Sequence, residues 1–406
     1  MVKGVQMKIK KIMDTNNRKK FKKMLNYAFG EWKDEKIKDD ELSWFENAEV
    51  LGVFENKKLA SGLVLHDFEQ IIRGSIKNMG GIGGVATYPE FRNRGFVSSL
   101  MKKAFDVMNA NKQCVSMLLP FKETFYEKYQ YVSTNNNMRV EFDLQSFKHY
   151  KNIDPEGKWK EIRKESRKAE KDFLKLMEKV APDKYHGLIL YSRKIKGIWK
   201  KMMKNNMFIF IERDGDIAAG ARYTKKGFQE MFDTGKIDVK EMYWEDSVSR
   251  GMLLKYFAKH LDQIKKIKFL LPYGLNFYSW VKNNIKIDIS VDDVPWMVRI
   301  IDVEKALKNI PANAEGEVNI KIEDPNCSWN SNVYKIEGNG KKLLIEKTDE
   351  DYHINADIQA ITALLYGAYN LEEVKNRFKF ESQDSKKEKI LRLWFEKRFI
   401  FNTFYF

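Results

Sequence analysis

The stretch GGIGGVATYPEFRNRGFVSSLM, Gly80 to Met101, sets four glycines and a short apolar run ahead of Arg92-Asn93-Arg94-Gly95. Ile82 to Thr87 reads as a strand loosened by glycine and broken at Pro89. A helix restarts beyond it. Val97, Leu100, Met101, Ala104, Phe105 and Met108 recur on one face, while Lys102, Lys103 and Asp106 fall on the other. The Arg-Asn-Arg-Gly segment therefore lies at a strand-to-helix turn, where free backbone N–H groups and the positive end of the helix dipole attract a phosphate. A surface loop after an ordinary strand has the same composition, so the rest of the chain must decide.

Moving outward, the pattern repeats. VFENKKLASGL (Val53 to Leu63) reads as a hairpin around Asn56-Lys57-Lys58, and FIERDGDIAAGA (Phe210 to Ala221) has the same form around Asp214-Gly215. Each is followed by an Arg-Gly pair, an amphipathic helix and an apolar strand, CVSMLLP and IKFLLP respectively. Arg250 stands 156 residues after Arg94, and Gly220 stands 158 after Gly62, so two α/β units of similar length fill the chain to about residue 295. The second unit places Glu245 and Asp246 just before its Arg250-Gly251, and two carboxylates there repel a pyrophosphate. Anion binding is accordingly expected in the first copy, with a structural or substrate-walling role for the second.

Beyond VPWMVRIIDVEKAL the character changes to strands, VNIKIED and NVYKIEGNGKKLLIEKT, with a hairpin turn at Gly338-Asn339-Gly340. A helix, ADIQAITALLYGAYN, and a charged helix follow, and the chain closes on RFIFNTFYF. An aromatic last segment is unusual, since ends are ordinarily polar. It is expected to be a strand docked in a core, carrying the Phe406 carboxylate inward.

Composition narrows the class. With 406 residues, 43% hydrophobic and 13% aromatic, the chain can bury a sizeable core, and no apolar run approaches the roughly 20 residues of a membrane span. MVKGVQMKIKKIM lacks a signal peptide's apolar centre, so the expected location is cytoplasmic, with no membrane partner. The +16 net charge raises nucleic acid as a partner. Lysines interleaved with acids, as in KWKEIRKESRKAEKDF (Lys158 to Phe173), instead read as a solvated helix face, so no nucleic-acid partner is expected. The two cysteines, Cys114 and Cys327, and five scattered histidines offer neither a disulfide framework nor metal-ligand spacing, so no metal is expected. Cys114 sits in an apolar strand, where a thiolate nucleophile is disfavoured.

Taken together, GGVATYPEFRNRG, LLPFKETFYEKYQY, MVRIIDVEKAL and the tail ending in Phe resemble the tandem GNAT acetyltransferases of the Eis (enhanced intracellular survival) type. The pieces span the whole chain in order. The resemblance implies tandem GNAT folds (α/β, α+β) followed by a sterol-carrier-protein-like α+β domain: a catalytic GNAT domain over 1–147, a degenerate one over 148–295 and the carrier-like domain over 296–406. It implies acetyl-CoA as co-substrate, with Val85, Ala86 and Thr87 along the pantetheine arm and Arg92, Asn93, Arg94, Gly95, Phe96, Val97 and Ser98 around the pyrophosphate. Pro120 and Phe121 belong to the same cofactor set. Tyr126 matches the family's general acid and the Phe406 carboxylate its base. The reaction implied is direct acetyl transfer in a ternary complex to a primary amine of a cationic acceptor, aminoglycoside-like or a lysine or peptide amine. Asn26, Trp32, Trp44 and Phe45 are the candidate acceptor walls. The family resemblance implies a homo-oligomer, a hexamer. Two departures stand out: Val97 replaces a small residue, and Gln130 occupies a position where the family has glycine, at a turn or bulge. The rival readings are another tandem-GNAT acyltransferase and a hydrophobic-ligand or lipid carrier with the GNAT copies as scaffold.

Overall fold

In a computed structural model, residues 7–30, 36–45, 48–190, 206–227, 235–282 and 287–406 are described. The glycines of Gly80–Gly84 do not break their strand. β1 (Met7–Lys11), β2 (Ala48–Glu55), β3 (Lys58–Ile72), β4 (Ser75–Thr87), β5 (Val115–Leu118) and β6 (Val132–Ser133) lie in the first sheet. The second holds β7 (Met138–Asp143), β8 (Trp159–Glu165), β9 (Met207–Arg213), β10 (Asp216–Lys226), β11 (Gly235–Trp244), β12 (Ile264–Leu271) and β13 (Ile287–Val291). β14 (Met297–Ile300) returns to the first sheet, and β15 (Glu315–Glu323), β16 (Asn332–Asn339), β17 (Leu343–Lys347), β18 (Ile354–Asp357) and β19 (Phe380–Ser382) build the third. Among the described residues the orders are β1-β2-β3-β4-β5-β14-β6, β13-β7-β12-β11-β10-β9-β8 and β17-β16-β15-β18-β19.

The repeat is real at the level of hydrogen bonds. β4 runs parallel to β5 from Met79 against Val115, and β11 runs parallel to β12 from Gly235 against Ile264, offsets of 156 and 149 residues. Each has a bulge further on, at Gly84–Val85 opposite Leu63 and at Lys240 opposite β10. The two hairpins also match: Asn56 and Lys57 both have positive φ, as do Asp214 and Gly215, the geometry of a two-residue turn that follows strand twist. The units are interlocked, because β7 pairs with β12 and β13 in the second sheet, while β14 inserts between β5 and β6 of the first. One sequence expectation is overturned here. Lys158 to Phe173 is not a single helix face: Trp159–Glu165 forms β8 against β9, and only from Ser166 does α4 (Ser166–Lys184) begin. Alternating charges along an edge strand, one side turned to solvent, imitate a charged helix in composition.

The third sheet is fastened to the first by two buried guanidiniums. Arg299 of β14 is fully buried, donates to both carboxylate oxygens of Asp324 at 2.7 and 2.8 Å, and lies over the Phe105 ring at 4.4 Å. Its other amino group reaches the Tyr129 carbonyl. Arg73, at the tip of the β3–β4 hairpin, donates to the carbonyls of Leu364, Leu365 and Glu396 at 2.7–2.8 Å, closing the C-terminal end of the helix Ile358–Tyr366. Among the described residues no helix is long and apolar enough to cross a membrane.

Removing one partner of a fully buried, doubly hydrogen-bonded ion pair strands the other charge. Asp324→Ala is expected to destabilise the fold by about 3–5 kcal/mol, read as a lowered urea midpoint, whereas a loss below about 1 kcal/mol contradicts the role given to the pair.

Candidate active site

β4 and β5 pair only as far as Ile82 against Leu118, after which they part. Leu118 continues into exposed Leu119, buried Pro120 and exposed Phe121, while β4 continues through the bulge at Gly84, whose φ is +57°. Among the described residues the backbone edge of Val85, Ala86 and Thr87 on the β5 side is thereby free of a strand partner, and on the other side Ala86 and Thr87 pair with Gly62 and Ser61. A bulge beside an opened strand edge presents main-chain donors and acceptors to an extended amide-bearing ligand.

The turn after β4 uses two left-handed residues, Asn93 at φ +60° and Gly95 at φ +75°, to start α2 (Phe96–Ala110). Gly95 is the N-cap and makes no side-chain cap, so the first N–H groups of α2, from Phe96, Val97 and Ser98, meet no capping oxygen from it. The Arg92 side chain is exposed. Arg94 is tied to Glu55 by two bonds of 2.7 and 2.9 Å and lies over Phe91, which fixes the turn. Ser98 Oγ lies 2.9 Å from the Tyr129 hydroxyl. The second unit closes the same turn on itself. Asp246 caps the helix Ser247–Ala258 through a capping box with Ser249 and, with Glu245, binds Arg213. The Asp246 carboxyl is held down to about 2, with the Ser249 N–H and Arg213 outweighing the cost of its burial. A helix end that already holds its own carboxylate has no room for a phosphate.

Tyr126 sits on the short helix α3 (Glu123–Glu127), buried among Phe121, Phe125 and Tyr131, with ring centroids 5.1–6.2 Å away. Burial, with Tyr129 nearby, pushes its hydroxyl well above the ordinary tyrosine range, so it stays protonated. α3 ends in a Schellman motif: the Tyr131 N–H donates to the Tyr126 carbonyl, the Gln130 N–H donates to the Glu127 carbonyl, and Gln130 takes φ +65°. The position that favours glycine in the resembled family is thus the left-handed residue of a helix stop.

The tail arrives from the opposite side, and it is not a strand in a sheet. Asn135 bonds the Ile400 N–H and carbonyl at 2.7 and 3.0 Å, and Asn137 does the same for Asn402. The Phe401 N–H donates to the His186 carbonyl, and the Thr403 hydroxyl bonds Glu241. This carries Phe406 onto β4. Its ring fills the place a side chain at Gly81 would take, and its carboxyl carbon lies 3.5 Å from the Cβ position of Gly83. Phe406 stacks on Trp296 and packs against Phe68 and His66.

Of the expected acceptor walls, half-buried Trp44 reaches this place, against Gly83 and Gly84, and packs on His66 at 5.2 Å. Phe45 turns the other way into the core against Phe21 and has no exposed surface. Asn26 is buried on α1 (Thr15–Ala28) with its Oδ1 unpaired among the described residues. Trp32 lies outside the described residues. Cys114 is buried and its thiol is pushed up to about 11, chiefly by that burial, which disfavours a thiolate nucleophile. His66, Trp296 and the Asn135–Asn137 clamp were not singled out by sequence reasoning. The run Thr134-Asn135-Asn136-Asn137 between two strands was the available signal for the clamp.

Residues 9–133 match the acetyltransferase (GNAT) domain family, and residues 303–398 match the sterol carrier protein domain family. No curated protein sequence matches the chain. The chain thus carries an acetyltransferase (GNAT) domain and a sterol carrier protein domain, with the repeated α/β unit between them. Its fold over nearly the full length is that of a GCN5-related N-acetyltransferase from Anabaena variabilis (TM-score 0.83, 16% identity, 99% of this chain and 100% of that one). Similar in the same way are a GCN5-related N-acetyltransferase from Kribbella flavida (0.79, 17%, 99% and 99%) and Eis1 from Mycobacterium abscessus (0.78, 14%, 99% and 100%).

Two expectations follow. Burial holds His66 at about 4 and His186 at about 3, below the ordinary 6.5, so the unfolded chain takes up protons that the folded chain refuses. This contribution to stability is complete above pH 6.5 and is lost as pH falls towards 4. At pH 5 each histidine should cost about 2 kcal/mol, seen as a urea midpoint that drops between pH 7 and 5 and drops less in His66→Phe. Gln130→Gly relieves a left-handed side chain and should raise stability by roughly 0.5–1 kcal/mol in the same titration at pH 7.

Proposed function

We propose that the chain transfers acetyl from acetyl-CoA to a primary amine of a small cationic or peptide acceptor, by direct attack in a ternary complex. The observation that carries this reading is the Phe406 carboxyl carbon lying against Gly83 where β4 and β5 part. In this reading Val85 to Thr87 hold the pantetheine amides, and the uncapped start of α2, residues 93–98, holds the pyrophosphate, with Pro120 and Phe121 flanking the arm. A terminal carboxylate can only accept, so it takes a proton from the ammonium of the acceptor. The freed amine attacks the thioester carbonyl carbon and the C–S bond breaks. The Tyr126 hydroxyl donates to the departing thiolate. Its raised affinity for the proton keeps it charged with that proton at every working pH, and the ammonium left by the attack restores it through solvent.

The acceptor is expected among aminoglycoside-like and lysine or peptide amines, because the wall around Phe406 combines aromatic rings with a carboxylate, the surfaces a cation prefers. By the same reading residues 1–147 act, 148–295 support the tail, and 296–406 deliver it. A homo-oligomer, a hexamer by the family resemblance, and a cytoplasmic location, read from the N-terminal sequence, complete the proposal.

CoA-thiol release with an aminoglycoside panel tests the chemistry. Tyr126→Phe and a chain with one residue added after Phe406 should each lose at least 100-fold in kcat while keeping acetyl-CoA affinity. Full activity in either variant contradicts its assigned role.

A further inference from the structure

His66 has not been used by this chemistry, yet it is the least explained polar side chain near it. It lies on β3 opposite Gly81 of β4, in the middle of the first sheet and on the face that carries Phe406. Its ring is 3% exposed and is boxed by Trp44 at 5.2 Å, Phe68 at 5.4 Å and Phe406 at 5.7 Å. Its Nε2 has no hydrogen-bond partner among the described residues. An aromatic box of this kind is filled without penalty by phenylalanine, and a buried nitrogen with no partner carries the full desolvation cost of an unmade bond. Such an atom invites a partner that arrives from outside the chain.

The place identifies that partner. Gly81, across from His66, is covered by the Phe406 ring, and Gly83, two residues along the same face, is covered by the Phe406 carboxyl carbon. Successive same-face positions on a strand are about 7 Å apart, so the Phe406 carboxyl group lies about one such step from the imidazole, a gap that an amine together with an ordered water bridges. The two sides of the box nearest that gap, Trp44 and Phe406, are half-buried, whereas Phe68 is wholly buried. Access is therefore from the Trp44 and Phe406 side.

We propose that His66 positions the acceptor: its Nε2 hydrogen-bonds the attacking amine, directly or through one water, and holds it against the Phe406 carboxylate. This rests on the transfer reading above. Burial holds the imidazole near 4, so it is neutral when the amine arrives and acts as a hydrogen-bond partner to it.

The test compares His66→Phe and His66→Gln with the intact chain in CoA-thiol release, using an aminoglycoside and a lysine peptide as acceptors. The expected result for His66→Phe is a 10- to 100-fold rise in acceptor KM, unchanged acetyl-CoA KM and an unchanged or higher Tm. His66→Gln, whose amide reaches the Nε2 position, should restore most of the acceptor KM. A merely structural histidine gives the reverse: lowered Tm and no selective effect on acceptor KM, which overturns the inference. If the intact chain turns over and His66→Phe matches it, the inference fails and the transfer reading stands. If the intact chain releases no thiol with either acceptor while binding acetyl-CoA, the transfer reading fails and takes this inference with it.

Discussion

A backbone segment that enters a dry interior must find a partner for every N–H and carbonyl, and the last residues of this chain enter one without belonging to a sheet. Asn135 and Asn137 resolve this by offering amide side chains in place of a neighbouring strand, each bonding both the N–H and the carbonyl of one tail residue. Their spacing of two places both amides on one side of an extended segment, facing every second residue of the tail. Thr403 meets Glu241 from the second sheet, and Phe401 meets the loop at His186. The tail is thus held by both sheets at once, and the aromatic ring at its end fills the space left by Gly81. The glycines of β4 serve the tail as much as any cofactor.

The two GNAT units show how one architecture takes opposite states. Both keep the parallel strand pair, the bulge and the helix that follows, so the same strand-to-helix backbone exists twice. The difference is local. Gly95 leaves its helix end open, while Asp246 closes the other through its own carboxylate and a partner serine. Sequence placed two carboxylates near the second turn and read them as repelling a phosphate; geometry adds that one of them already occupies the phosphate's place. The released unit is free to become scaffold, and its Glu241 supports the tail.

The fold was largely legible because its signals are local. Turn dipeptides such as Asp214-Gly215, the helical stripe from Val97 to Met108 and the 156-residue spacing need no knowledge of distant partners. What escaped was non-local. Nothing in the sequence around Trp159 says that its charges alternate along an edge strand, since that depends on β9 fifty residues later. The pairing of Arg299 with Asp324 and the isolation of His66 arise only when strands from separate segments close around them. Phe45 shows the converse error. Its neighbour Trp44 does face the Phe406 group, and one step along a short helical turn sends the next ring to the core.

The insertion of β14 between β5 and β6 also orders events in time. Val115–Leu118 and Val132–Ser133 are made early, but the strand that joins them is residues 297–300, on the order of tens of seconds later at ordinary rates of synthesis. Until then the first unit exposes two apolar strand edges, an invitation to pair with the wrong chain. β7 is meanwhile committed to the second sheet, so neither unit can finish without the other. A nascent chain of this topology has high contact order through its middle, and its vulnerable stage is the long interval in which the first GNAT unit exists with its central seam unsealed.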